Sequence, residues 1–114
     1  MPAVRIPRAQ TLARYGLTHE AWGAMLARQG GVCALCGRLP DSGRLCIDHE
    51  HVKGFKRLPD AARAACVRGL ICFRCNRYKV AANDVASAEA VVAYLWDYVR
   101  RRAATKGEGP RRVA

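Results

Sequence analysis

At 114 residues, with 20 Lys+Arg against 9 Asp+Glu and a formal net charge of +11, the chain has the size of one domain and the charge of a polyanion binder. Its six cysteines fall as two Cys-x-x-Cys pairs and two singles, which fits metal binding in a reducing cytosol better than a secreted disulfide scaffold. The N-terminus carries no apolar signal-peptide core, no apolar run approaches the roughly 18 residues of a membrane span, and no basic helix has the broad apolar face of a lipid-surface binder.

Residues 1–14, with Arg5, Arg8 and Arg14 beside Pro2 and Pro7, read as a flexible basic arm. Thr18 then caps a first helix, with Glu20 in its first turn, an apolar face of Trp22, Met25 and Leu26, and Gly30-Gly31 as its stop. His19 is expected in solvent. Leu45 to His49 reads as a strand whose alternation sets Leu45, Ile47 and His49 opposite Cys46 and Asp48. A basic loop follows, with a short helical stretch over Ala61–Ala65, and then a second strand from Val67 to Ile71. A helix running through Asn76 to about Val80 begins at Cys72. The last helix is capped by Ser87 and carries an apolar stripe of Val91, Val92, Leu95, Tyr98 and Val99, expected to be buried. Residues 103–114 are expected to be a disordered tail.

Cys33, Cys36, Cys72 and Cys75 have the spacing of a structural zinc site, since each pair makes a short turn that offers two thiolates to one ion. Cys46 and Cys66 stand alone in apolar surroundings and read as buried thiols. Asp48-His49 lies at the end of the first strand, and Asn76 follows the last zinc cysteine. A carboxylate and a carboxamide on those two arms can give Mg²⁺ or Mn²⁺ two oxygen ligands. His49 is of the side-chain type that exchanges a proton near neutral pH, so it is the candidate general base. His51, two residues on, falls on the same side and either contacts the phosphate or orients its neighbours. The competing reading is a carboxylate orienting a core histidine, with Asn76 on a helix surface. Lys53, Lys56, Arg57, Arg63, Arg68, Arg74 and Arg77 are the expected nucleic-acid contacts.

Taken together, Tyr15-Gly16-Leu17-Thr18, Gln29-Gly30-Gly31-x-Cys33-Ala34-x-Cys36-Gly37, Ile47-Asp48-His49-Glu50-His51 and Val67-Arg68-Gly69-Leu70-Ile71-Cys72-x-x-Cys75-Asn76 resemble the phage recombination endonuclease VII family, a branch of the HNH or His-Me finger nucleases. The resemblance spans roughly residues 15–98. It implies an α+β fold, a small zinc-stapled ββα-metal core flanked by N- and C-terminal helices over residues 15–102. It also implies a Mg²⁺- or Mn²⁺-dependent DNA endonuclease with Cys33, Cys36, Cys72 and Cys75 on zinc, Asp48 and Asn76 on the catalytic ion, and His49 as base. Duplex or branched DNA is the implied partner, homodimerisation stays open, and the setting is the cytoplasm. The segment from Phe55 to Cys66 is an insertion relative to the family pattern. A non-catalytic zinc module that binds nucleic acid is the alternative.

Overall fold

The computed structural model describes residues 4–106. In chain order it contains helix α1 (Ala9–Ala13), helix α2 (His19–Arg28), strand β1 (Cys46–His49), a 3-10 turn (Phe55–Arg57), helix α3 (Asp60–Ala65), strand β2 (Val67–Ile71), a π-helical segment (Cys75–Val80) and helix α4 (Val85–Lys106). Two compact units divide after Lys79. The mixture of helices with one two-stranded antiparallel sheet is the α+β class expected.

The first unit has a small core. Leu12 and Leu70 are its fully buried aliphatic side chains, at 1% and 0% exposure, and Cys33 and Cys75 share that depth. Thiols therefore fill space that a larger domain would give to aliphatic groups. Helix α2 starts where Thr18 Oγ1 accepts the Ala21 N–H at 3.1 Å. It ends in a Schellman turn, with Gly31 N–H on the Leu26 carbonyl at 2.9 Å and Gly30 N–H on the Ala27 carbonyl at 3.0 Å. Both glycines have positive φ, 72° and 78°, where a Cβ is disfavoured. Gln29, between helix and turn, fastens α2 to the sheet. Its amide donates to the Leu70 carbonyl at 2.8 Å and accepts the Leu70 N–H at 2.9 Å.

The expected basic arm is corrected over the residues described. Val4 and Leu12 are buried, Arg5 N–H donates to the Gly43 carbonyl at 2.7 Å, and residues 9–13 form α1. His19 is exposed, as expected, and its ring also hydrogen-bonds the Pro7 carbonyl at 2.9 Å. These contacts are long-range, so they outweigh weak local propensity. Residues 1–3 lie outside the description.

Strands β1 and β2 pair Cys46 with Ile71, Ile47 with Leu70, Asp48 with Gly69 and His49 with Val67. Arg68 is thus the extra residue of a β-bulge. A bulge turns two successive side chains toward one side of the ladder and sharpens the local twist, which brings Arg68 round to Asp48. The Phe55–Cys66 segment packs as the 3-10 turn and α3, and Arg63 secures it. Its guanidinium donates to the Leu58 carbonyl at 2.9 Å and the Ala13 carbonyl at 3.2 Å, and pairs with Asp60. Arg63 was expected on nucleic acid; it is half-buried and engaged within the fold.

In the second unit, α4 starts three residues earlier than the sequence indicates, because Asp84 Oδ1, not Ser87, accepts the cap bond, from Ser87 N–H at 2.8 Å. The helix continues to Lys106, which corrects the expected start of the tail at 103; residues 107–114 lie outside the description. The stripe expected to be buried is not: Val91, Val92, Leu95 and Tyr98 are exposed, and Val99 is half-buried. Among the described residues, no helix is long and apolar enough to cross a membrane.

Candidate metal centre and adjoining cleft

The Gly31–Cys36 turn and the segment after β2 bring four cysteines together, with the Sγ atoms of Cys33, Cys36, Cys72 and Cys75 all within 4.8 Å of one another. Sulfurs bound at about 2.3 Å to one tetrahedral zinc stand about 3.8 Å apart, and Cys36 Sγ to Cys72 Sγ is 3.9 Å. The four cysteines are placed to hold a metal ion. Burial alone would raise the Cys33 thiol, but N–H donors from Cys36, Cys72 and Leu35 outweigh it and bring it down to about 6. These donors reach its sulfur at 3.5, 3.2 and 3.4 Å. Burial, with the surrounding thiols adding to it, pushes Cys75 up to about 12. Crowded thiols of this kind suit a cation at their centre, which stabilises every thiolate at once.

Beside this cluster a cleft of about 1180 Å³ is lined by Asp48, His49, His51 and Asn76 together. Strict alternation sets Asp48 and His49 on opposite faces of β1, yet both line the cleft, because it runs along the strand and takes Leu45, Cys46 and Ile47 as well. Asn76 reaches it from the π-helical segment that begins at Cys75, so the cysteine cluster sets its position. Burial raises the Cys46 thiol, with Cys72 adding to the effect and a hydrogen bond from the Asn76 side chain opposing it. Cys46 and Cys66, expected to be buried, are half-buried.

The His49 ring is held by aromatic neighbours. His51 stacks on it with centroids 4.7 Å apart and planes 11° apart, Phe55 lies 4.8 Å away, and Tyr15 meets it edge-on at 5.2 Å. Such packing fixes ring orientation without using either ring nitrogen. Tyr15 and Phe55 were not anticipated as site residues. Tyr15 stands in the first quoted motif and Phe55 opens the insertion, but neither spacing indicates that they meet His49.

Asp48 is 7% exposed. Arg68 grips it through two bonds, Nε to Oδ2 at 2.8 Å and Nη2 to Oδ1 at 2.9 Å. This bidentate pair compensates a carboxylate that would otherwise be costly to bury. The hydrogen bond to Asp48 in turn raises the Arg68 guanidinium above its usual value. Arg68, expected to contact nucleic acid, is therefore an ion-pair partner within the site. Lys53, Lys56, Arg57, Arg74 and Arg77 are exposed and do not line the cleft. The cations that do line it are Arg5, Arg8 and Arg44.

The family model for recombination endonuclease VII matches residues 8–97. A protein named Gene 59 protein from Mycobacterium phage D29 is 40% identical over 68 residues, covering 59% of this chain and 34% of that protein. Gene 59 protein from Mycobacterium phage L5 is 37% identical over 68 residues, covering 59% of this chain and 35% of the relative. The matched stretch is thus about a third of the length of these curated relatives. No solved structure matches the chain.

Proposed function

The chain belongs to the recombination endonuclease VII family, and on that premise we propose that it is an HNH-type endonuclease hydrolysing DNA phosphodiester bonds in the cleft beside the cysteine cluster. The observation that carries this reading is the convergence of Asp48, His49, His51 and Asn76 on one cleft. A binding module would need the charge and the cysteines but not those four side chains together.

In this reading the cluster holds zinc and serves as a frame. It fixes the start of the π-helical segment, and so Asn76, against the sheet that carries Asp48 and His49. Asp48 and Asn76 present hard oxygen donors, the set that suits Mg²⁺ or Mn²⁺. When bound, such an ion supplies neutralisation of phosphate charge and of the leaving oxygen. His49, its ring held by Tyr15, Phe55 and His51, accepts a proton from the attacking water. His51 keeps the ring in register. Arg68 keeps the buried Asp48 charge compensated and yields part of its two-bond grip when the carboxylate takes another partner. Every side chain in this scheme belongs to the first unit.

The test is nicking of supercoiled plasmid by the zinc-loaded chain, with and without added Mg²⁺ or Mn²⁺. Metal-dependent conversion to open circles is expected. DNA binding with no strand cleavage under any of these conditions would leave the non-catalytic module as the function.

A further inference from the structure

Cations concentrate on one wall of this cleft, and they are not those of the basic loop. Arg5, Arg8 and Arg44 all line it. Each has an exposed side chain, and none has an acidic partner among the described residues. The single carboxylate in the lining, Asp48, is already matched by Arg68. The cleft therefore presents three guanidinium groups without counter-charge, and the positive potential they share attracts an anion.

The backbone holds this wall in place by means that do not involve the arginine side chains. Val4 and Leu12 are buried on either side of the segment. The Arg5 N–H bonds the Gly43 carbonyl at 2.7 Å, next to Arg44, and the Pro7 carbonyl bonds His19 at 2.9 Å. The arginines are thus displayed by a fixed scaffold. At about 1180 Å³ the cleft exceeds the roughly 300–1,000 Å³ of a small-molecule site, which suits a polymer passing through rather than an enclosed metabolite.

We propose that Arg5, Arg8 and Arg44 form a phosphate-binding wall that carries the sugar-phosphate backbone of DNA past His49, with the N-terminal segment as part of the substrate site. This rests on the nuclease reading for its placement of the reacting phosphate, but its binding component is testable apart from cleavage. Guanidinium groups suit this role because their planar fork meets phosphate oxygens two at a time.

The experiment measures binding of a short fluorescent duplex by the zinc-loaded full-length chain, with no added divalent cation, across a series of salt concentrations. Each phosphate contact contributes about 0.9 to the slope of log affinity against log salt. The variant carrying R5A, R8A and R44A should lose between about 2 and 3 from that slope and bind roughly tenfold more weakly or worse. Lysine at all three positions should restore most of the slope, because it keeps the charge, but less of the affinity. R28A, in the last turn of α2 and outside the cleft, should leave the slope unchanged. A folded triple-alanine variant with the wild-type slope overturns the proposal, as does R28A lowering the slope by as much as each single variant R5A, R8A or R44A, since net charge alone would then account for the effect. The single variants carry the same test if the triple variant melts early. If the wild-type chain never nicks plasmid while the triple variant still loses its slope, the catalytic reading falls and the phosphate wall stands.

Discussion

Replacing Arg68 by alanine leaves the Asp48 carboxylate, 7% exposed, without two charge-assisted hydrogen bonds of 2.8 and 2.9 Å. Breaking a fully buried pair costs about 3–5 kcal/mol, and breaking a surface pair about 0–1 kcal/mol. Here the carboxylate is buried, but the Arg68 side chain is 50% exposed, so water screens one side of the pair. The cost should fall between the limits, at about 2 kcal/mol. For a unit of this size that corresponds to a fall in Tm of about 10 °C. The assay is thermal unfolding of the zinc-loaded chain followed by circular dichroism, with Asp48→Asn and the double variant completing a cycle. The double variant should recover part of the loss, since no charge is then left buried alone. An Arg68→Ala chain melting within a degree or two of wild type would show that the pair does not hold this part of the site.

Cys72→Ser should abolish the cooperative transition of the first unit and its bound zinc, because the apolar core is small and metal binding is coupled to folding; metal content and a melting curve together decide this. Gly16→Ala should cost about 2–4 kcal/mol, since Gly16 has φ of 69° and a Cβ there would overlap the Asp60 carbonyl; denaturant unfolding measures it. Asp84 has a carboxyl lowered from 3.8, mainly by the Ser87 N–H. A lowered folded value means the cap contributes fully above 3.8 and is lost as pH falls through the lower value, so α4 should begin to fray below about pH 4. In Asp84→Asn that acid step should disappear from the helical signal.

Features carried by local spacing were legible in the sequence. The two cysteine pairs, the Thr18 cap, the Gly30-Gly31 stop and strand β2 from Val67 to Ile71 each rest on residues a few positions apart, and each stands in the structure. Features set by distant partners were not. Leu12 sits in a helix of five residues, too short for periodicity to register, and the Gly43 carbonyl that fixes Arg5 is remote in sequence. The bulge at Arg68, which brings that side chain to Asp48, depends on the ladder register and on no local spacing within β2. Arg63 and Arg68 look like the other basic residues in the sequence, which shows a charge but not its partner, Asp60 and Asp48 respectively. The α4 stripe has helical spacing, yet spacing identifies a face without supplying anything to cover it. Asp48, His49, His51 and Asn76 were singled out from motif positions, and one cleft gathers them; the aromatic support from Tyr15 and Phe55 emerged only from the fold.

The rate of plasmid nicking by His49→Ala, measured on protein whose zinc content and DNA affinity match wild type, bears most directly on the claim that this cleft is a hydrolytic centre. Loss of a positioned proton acceptor should lower that rate by roughly 10²–10⁴-fold. A folded His49→Ala chain that nicks as fast as wild type would contradict the assignment.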